Sequence, residues 1–183
     1  DSPVGKTSEH AATGTLTLMV GGDPADIERA MPVLKCMGTD TFLCGGQGMG
    51  HAMKMTNNVL ATTIMVANTE ALAIGVKAGL KLELMMEVMK TTMAFNHQLY
   101  VAMPKKAFKG DDSPGFMCKL AGKDVRLAVE YAKAVGFDAV VSRAAQETLD
   151  RAGKLGYAER DTAALMKIRE DELGIKVRQA PAA

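Results

Sequence analysis

Strand-like patterns of apolar residues are confined to the first 48 residues of the chain. Residues 15–20 are β-branched or apolar and lie between glycines, which is typical of a strand. Shorter patterns at residues 2–4 and 41–44 predict two more strands, and Pro3 limits the first of these to a sheet edge or a strand start. This part of the chain is therefore predicted to be a small β-containing region.

The longest predicted helix covers residues 49–77, where apolar residues lie on nearly every side. At 1.5 Å per residue it would be roughly 40 Å long. A helix that is apolar all round is typical of a protein core, so we expect a central, buried helix. A membrane-spanning helix is the alternative, but polar residues leave too short an uninterrupted apolar run. These residues are Asn57, Asn58, Asn68 and Glu70.

Apolar residues at helical spacing predict shorter helices along the rest of the chain. Pro24 follows Asp23, a favourable N-cap, and begins a helix that runs to about Met37. Ser142 and Asp161 are the predicted N-caps of two later helices. Further helices are predicted over residues 82–92, 96–103 and 113–136, and the tail 177–183 is expected to be frayed.

These patterns together predict a mainly α protein with two domains. Residues 49–183 form an all-helical domain around the long central helix. Residues 1–48 form the β-containing domain that precedes it.

Composition narrows the classes of partner. The net charge is only +1, aromatic residues make up 4% of the chain and tryptophan is absent, so no nucleic-acid partner is expected. The three cysteines show no CxxC or Cys/His ligand spacing, so we expect neither a metal site nor a disulfide framework. An odd cysteine count without such a framework suits a reducing cytoplasm.

A candidate polar site follows the glycine-rich stretch that begins at Gly45. Lys54, Asn57 and Asn58 stand at i, i+3 and i+4 and therefore share one face of the long helix. A cation beside two carboxamides could bind and exchange a proton with a small, oxygen-rich molecule. The alternative is an ordinary polar first turn that happens to contain a lysine.

The segment Gly5-Lys6-Thr7-Ser8 matches the end of a phosphate-binding P-loop. A P-loop has to open a helix, whose backbone N–H groups then surround the phosphate. Only residues 9–12 could be helical here before Gly14 and the next strand. We therefore do not interpret the segment as a P-loop.

Several stretches together resemble the β-hydroxyacid dehydrogenase family, whose members include 3-hydroxyisobutyrate dehydrogenase relatives. They are DSPV, GTLTLMVGG, GGQGMGHAMKMTNN and SPGFMCKLAGKD, in the family's order and at about its spacing. As a set these motifs cover most of the chain and are specific.

The resemblance implies a helical domain of the 6-phosphogluconate dehydrogenase C-terminal type and a cofactor, NAD or NADP. Residues 1–48 would be the C-terminal remnant of a Rossmann-type domain, with the earlier part missing. The G-x-G-x-x-G fingerprint of the first βα turn is absent, and the loop at Gly45–Gly50 lacks the acidic ribose partner that would complete it.

The resemblance also implies roles for single residues. Lys54 matches the family's catalytic lysine, which exchanges a proton with the substrate oxygen while a hydride moves to or from nicotinamide. Asn58 matches the substrate-orienting asparagine, and Asn57 lies beside it. Phe116 and Lys123 match positions near the nicotinamide end of the cofactor, although core packing is an equal alternative for Phe116.

The chain departs from the family at the substrate loop. Most relatives have D-A-P-V-S-G-G, whereas this chain continues from Val4 with Gly5, Lys6 and Thr7. This form is similar to the sulfolactaldehyde reductase branch, in which an arginine at the Lys6 position grips a sulfonate. Lysine provides a point charge instead of a two-pronged donor, and a carboxylate would also satisfy it.

We therefore expect part of an NAD(P)-dependent enzyme that interconverts a short anionic aldehyde and its primary alcohol. The favoured pair is 3-sulfolactaldehyde and 2,3-dihydroxypropane-1-sulfonate. Succinic semialdehyde with 4-hydroxybutyrate, or a 3-hydroxyisobutyrate-type substrate, is the alternative. A third possibility is that the chain alone is an inactive helical association module, since the resemblance implies homodimers or homotetramers formed through the helical domain.

Overall fold

The computed structural model describes residues 1–179 and begins with a three-stranded sheet. Its strands are β1 (Val4–Gly5), β2 (Leu16–Gly21) and β3 (Gly38–Gly45). β1 pairs antiparallel with β2, and β2 pairs parallel with β3, so the strand order follows the chain. The three predicted strands are therefore present, and the third is longer at both ends than its apolar pattern predicted.

The connection between β2 and β3 is a helix that covers one face of the sheet. This helix, α2 (Pro24–Leu34), begins after Asp23, whose carboxylate accepts the Ala25 N–H at 2.9 Å, as the N-cap prediction requires. Apolar side chains of β2 form a small core beneath it, namely Leu16, Leu18 and Val20 with Val4, Ile27 and Leu34. The other short helix of this region is α1 (Ser8–Ala12).

The long helix, α3, runs from Met49 to Lys77, as predicted. It is buried on one side only, because Leu60 is 61% exposed and Ile74 is 68% exposed, so the expectation of burial all round was wrong. Small and polar residues, among them Thr62 and Thr69, occupy part of its buried side. Its length and composition alone would also fit a membrane span, as they do for many core helices, and 39% of its most apolar stretch is buried.

The rest of the described chain is helical, which confirms the mainly α fold. The α-helices are α4 (Leu82–Lys90), α5 (Met103–Lys105), α6 (Cys118–Ala134), α7 (Val140–Ala152) and α8 (Ala164–Leu173). Two π-helical turns, Gln98–Ala102 and Gly153–Tyr157, and a 3₁₀ turn, Ala107–Lys109, lie between them.

Helix α6 is buried mainly through small residues, and the large apolar residues on it and just before it are exposed. Phe116, Leu120, Leu127 and Tyr131 are all exposed, and the buried face consists of small residues such as Ala121 and Ala128. A Cβ added at Gly122 would lie 3.6 Å from the Leu149 side chain of α7. Small residues thus allow the two helices to approach closely, and close packing outweighs side-chain size in choosing the face.

Several predicted boundaries differ from the structure. Ser142 lies inside α7 and does not cap it, since the helix already begins at Val140. Asp161 precedes α8 by three residues, although its carboxylate still accepts the Ala163 N–H at 2.9 Å. Pro104 lies within the short helix α5, where a helix end was predicted, because proline fits the first turn of a new helix.

The C-terminal segment is held against the helical region by a buried carboxylate. Val177 is fully buried, and its N–H donates to Glu170 Oε1 at 2.7 Å. Arg178 forms a two-pronged ion pair with Glu170, with Nη2–Oε2 at 2.6 Å. The prediction of a frayed tail was therefore wrong for residues 177–179, and residues 180–183 lie outside the described chain.

Contacts divide the chain into two compact units, Asp1–Val59 and Leu60 onward, so the division falls within α3. The first unit holds the sheet and the start of α3. The second holds the other helices from α4 to α8. The domain boundary predicted at residues 48 and 49 stays a prediction.

Candidate active site

The N-terminus of α3 is capped by the side chain of Asp1. The buried carboxylate accepts the Gly48 N–H at 2.8 Å and the His51 N–H at 2.7 Å, and it lies 2.9 Å from His51 Nδ1. Backbone N–H groups at a helix start lack partners within the helix and attract negative charge. This helix terminus is thus already filled by a carboxylate of the chain itself.

Glycine is required where α3 approaches the sheet. A Cβ at Gly50 would lie 2.3 Å from the Met19 carbonyl oxygen of β2, and one at Gly21 would lie 2.7 Å from the Gly50 nitrogen. Such distances exclude a side chain at either position without movement of the backbone. The glycine-rich stretch therefore brings the first turn of α3 against β2, and this contact fixes the position of Lys54 along the sheet.

Lys54 points toward the loop that follows β1. Its Nζ donates to the Val4 carbonyl oxygen at 2.7 Å across 50 positions of sequence. Val4 is followed directly by Gly5 and Lys6, the start of the predicted substrate loop. The first unit thus brings Lys54 of the long helix to the start of the predicted substrate loop.

The two asparagines differ in their surroundings. Asn58 is buried, whereas Asn57 is exposed and donates from Nδ2 to Asn58 Oδ1 at 3.1 Å. A buried carboxamide has a fixed orientation when its partners hold it, which is what a substrate-orienting group needs. Asn58 stands one helical turn after Lys54, as the i, i+4 spacing predicted.

The loop at Lys6 carries a charge partner that the sequence analysis missed. Lys6 Nζ donates to Asp40 Oδ2 and to the Thr15 carbonyl oxygen, each at 2.8 Å. The same hydrogen bond and charge hold the pKa of Asp40 below its usual value. Thirty-four positions separate Lys6 from Asp40, so no local pattern could have joined them.

The backbone of this loop is also unusual at Lys6. Its φ of 71° lies in the left-handed region, which glycine occupies at no steric cost and lysine does not. Thr7 follows with its hydroxyl 3.0 Å from His10 Nδ1. Gly5 is buried, and a Cβ there would lie 3.3 Å from the Met19 side chain.

The two residues expected near nicotinamide, Phe116 and Lys123, lie in the second unit. Phe116, just before α6, is 40% exposed as a residue, and its backbone N–H donates to Asp161 Oδ2 at 2.9 Å. Lys123 pairs with Asp124, with Nζ 2.8 Å from Oδ1. Phe116 is therefore not fully buried, and its place near nicotinamide stays a prediction.

A groove of about 670 Å³ runs between α6 and α7 beside Lys123. Its floor includes the buried Cys118, and burial, aided by the negative charge of Asp161, raises the pKa of that thiol to about 11. The thiol therefore stays protonated and unreactive at neutral pH. Within residues 1–179, no group of three or more histidine, cysteine, aspartate or glutamate side chains could hold a metal ion.

Comparison with known protein families assigns most of the chain. Residues 48–169 match the family described as NAD-binding of NADP-dependent 3-hydroxyisobutyrate dehydrogenase, and residues 1–46 match the NAD binding domain of 6-phosphogluconate dehydrogenase. Both descriptions are of nicotinamide-dependent dehydrogenases, and the fold is in line with that class. The chain belongs to the 3-hydroxyisobutyrate dehydrogenase family.

Curated relatives differ in the substrates that they are named for. The chain is 34% identical over 167 residues to 3-sulfolactaldehyde reductase of Escherichia coli, covering 91% of this chain and 56% of that protein. It is 36% identical over 180 residues to NAD-dependent L-serine dehydrogenase of Pseudomonas aeruginosa, covering 95% and 60%. The chain thus spans less than two thirds of the length of these relatives.

Solved structures confirm the fold. The 3-hydroxyisobutyrate dehydrogenase of Mycobacterium tuberculosis, solved with L-serine, superposes with a TM-score of 0.84 at 29% identity and covers 92% of this chain and 60% of that chain. The enzyme from Salmonella typhimurium gives a TM-score of 0.80 at 28% identity, covering 92% and 59%. The family resemblance and the helical fold are thereby confirmed, and the two family descriptions confirm the cofactor class, NAD or NADP.

Proposed function

We propose that the protein carrying this chain interconverts a short anionic aldehyde and its primary alcohol with NAD or NADP. The observation that carries the proposal is the 2.7 Å bond from Lys54 Nζ to the Val4 carbonyl oxygen, which places an amine at the start of the Gly5–Ser8 segment. Cytoplasmic localisation accompanies this proposal. The residues assigned to it are Lys54 for proton transfer, Gly5, Lys6, Thr7, Asn57 and Asn58 for the substrate, and Phe116 and Lys123 for the cofactor.

Lys54 is proposed to move the proton of the reaction. In oxidation, neutral Lys54 accepts the hydroxyl proton as the C–H electron pair leaves carbon, and in reduction its ammonium returns a proton to the forming alkoxide. Nicotinamide, when bound, supplies the hydride acceptor or donor. The Val4 carbonyl holds Nζ in place, and the buried Asn58 amide is positioned one turn further to orient the substrate oxygen.

The exposed Phe116 ring and Lys123 fit a nicotinamide cofactor chemically. A half-exposed aromatic ring offers a flat apolar surface to a flat heterocycle, and a lysine beside it suits an anionic group. These residues lie in the second unit, and Lys54 and the substrate segment lie in the first. The proposed role of each group of residues therefore rests only on the contacts within its own unit.

A sulfonate is the head group that we favour for the substrate. Lys6 with the hydroxyls of Thr7 and Ser8 offers a cation and two donors to three sulfonate oxygens, and the similarity to 3-sulfolactaldehyde reductase supports this choice. Asp40 already pairs with Lys6, so a bound anion has to compete with that carboxylate. A 3-hydroxycarboxylate or 4-hydroxybutyrate is the alternative, supported by the relative named for L-serine.

The first prediction is that Lys54→Ala in the full-length protein lowers kcat by roughly 10²- to 10⁴-fold, because the proton-transfer group is removed. Lys35→Ala is the matched control, since Lys35 is exposed and has no ion pair within residues 1–179. A separate assay tests the head group of the substrate: turnover of 3-sulfolactaldehyde and of succinic semialdehyde is compared between Lys6→Ala and the wild type. Near wild-type turnover of Lys54→Ala would contradict its catalytic role, and equal losses on both aldehydes would remove the support for a sulfonate pocket.

A further inference from the structure

The segment of residues 113–117, here called the Phe116 loop, is held by a backbone ladder to the segment before α8. Met117 and Asp161 form an isolated antiparallel bridge. The ladder bonds are Asp161 N to Asp112 O at 3.1 Å, Thr162 N to Phe116 O at 3.0 Å and Cys118 N to Arg160 O at 2.8 Å. The loop therefore has a defined backbone path although it lies at the surface.

A buried carboxylate completes this arrangement. Asp161 is only 7% exposed, and its Oδ2 accepts the Phe116 N–H at 2.9 Å while its Oδ1 accepts the Ala163 N–H at 2.9 Å. A Cβ at Gly115 would lie 2.6 Å from Asp161 Oδ2, so a side chain at this position would force the carboxylate to shift. Each oxygen of Asp161 thus has a fixed donor, one of which is the backbone of Phe116.

Lys106 supplies the positive charge beside this carboxylate. Its Nζ lies 3.8 Å from Asp161 Oδ2 and donates to the Ser113 carbonyl and, at 3.2 Å, to the Ser113 hydroxyl. A buried carboxylate is tolerated when it is paired and hydrogen-bonded. Lys106 therefore holds the beginning of the loop while it neutralises the residue that holds Phe116.

The result is an exposed aromatic ring on a fixed backbone. We propose that Asp161 is a positioning residue that holds the Phe116 ring ready to stack on a flat heteroaromatic ligand. The ligand class is the nicotinamide ring, so this inference rests on the cofactor role proposed above for Phe116. A ring whose backbone is fixed in advance loses less conformational freedom when the ligand binds, and this lowers the ligand concentration required.

The test uses the absence of tryptophan from the chain, since Phe116→Trp then introduces its single tryptophan. Acrylamide quenching and fluorescence anisotropy of the introduced indole report the mobility of the Phe116 loop. We expect Asp161→Asn to increase both quenching and local motion, because an amide has one acceptor oxygen for two N–H groups. Asp171→Asn, an exposed aspartate on α8, is the matched control and leaves both signals unchanged.

Steady-state kinetics are measured on the full-length protein with Phe116 retained. They distinguish a positioning role of Asp161 from a general effect on stability. Asp161→Asn is expected to raise the KM for the dinucleotide about tenfold and leave the KM for the aldehyde within about twofold. Gly115→Ala displaces the same carboxylate, so it is also expected to raise the KM for the dinucleotide and to leave the KM for the aldehyde nearly unchanged. This second variant keeps the test informative if Asp161→Asn does not fold.

Phe116→Ala distinguishes the failure of this inference from the failure of the proposed function. If Phe116→Ala raises the dinucleotide KM and neither Asp161→Asn nor Gly115→Ala does, the positioning role of Asp161 is overturned and the cofactor role of Phe116 stands. If none of the three variants changes that KM, the cofactor contact itself is wrong. If Asp161→Asn raises the KM for the dinucleotide and the KM for the aldehyde equally, Asp161 has only a structural role.

Discussion

At the scale of single residues, each of three candidate site residues forms a hydrogen bond within the chain. Lys54 binds the Val4 carbonyl, Lys6 binds Asp40, and Phe116 is held by Asp161. The lysines and the phenylalanine were predictable because they stand in recognisable local motifs. Asp40 was not predictable, because it is contributed by a distant segment and nothing in its own neighbourhood indicates a role.

The second prediction concerns the titration of Asp40. Since Lys6 holds the pKa of Asp40 below its usual value in the folded protein, the stabilisation from this ion pair is fully present above the unfolded pKa and is lost as pH falls through the lower, folded pKa. Lys6→Met is expected to raise the pKa of Asp40, as measured by carboxyl ¹³C NMR. Lys35→Met is the control, and an unchanged Asp40 titration in Lys6→Met would contradict the pairing.

At the scale of elements, close backbone approaches and buried polar contacts decide the arrangement. The long helix, the sheet strands and α2 could be predicted from local pattern, caps and glycines. The buried face of α6 could not, because its small residues become a packing surface only when α7 is present. The C-terminal segment was mispredicted for the same reason, since its partner Glu170 lies on another element.

The third prediction tests the approach of α3 to β2. Gly50→Ala is expected to lower the free energy of unfolding by about 1–3 kcal/mol, because its Cβ would meet the Met19 carbonyl oxygen at 2.3 Å. Gly46→Ala is the matched control: nothing lies within 4 Å of its Cβ, and we expect a change within about 0.5 kcal/mol. Urea unfolding measures both, and equal effects would contradict a special role for Gly50.

The fourth prediction concerns the C-terminal segment. Glu170→Ala is expected to lower the unfolding free energy by about 3–5 kcal/mol, because it leaves Arg178 unpaired and removes the acceptor of the buried Val177 N–H. Glu130→Gln, an exposed glutamate on α6, serves as the control. Hydrogen exchange at the Val177 amide should accelerate in Glu170→Ala alone, and unchanged exchange would show that other contacts hold the segment.

At the scale of the whole molecule, two compact units share one long helix and leave many large apolar side chains exposed. Exposed residues on α6 include Leu120, Leu127 and Tyr131, and Leu60 and Ile74 are exposed on α3. Leu120, Leu127 and Tyr131 stand at i, i+7 and i+11 and share one face of α6, and an exposed apolar helix face is typical of a surface that another protein covers. This is the observation that favours association of two or more copies, as a homodimer or homotetramer.

The fifth prediction is that the chain self-associates at micromolar concentration, because association removes this apolar surface from water. Sedimentation velocity over a concentration series is the measurement. Leu127→Glu is expected to shift the distribution toward monomer. Arg126→Glu is the control for the added negative charge, because Arg126 is exposed and its replacement removes no apolar side chain. A single monomeric species at the highest concentration would contradict the prediction.

The carboxylate of Asp1 at the start of α3 has a consequence for competition between ligands. Because this carboxylate is tethered to the chain, its effective concentration at the helix terminus is very high, on the order of millimolar or above. A free phosphate or sulfonate has to displace it and also leave the buried Asp1 without its N–H donors. The start of α3 therefore disfavours a bound anion, and under the proposed function the Gly5–Ser8 segment would select among anionic substrates.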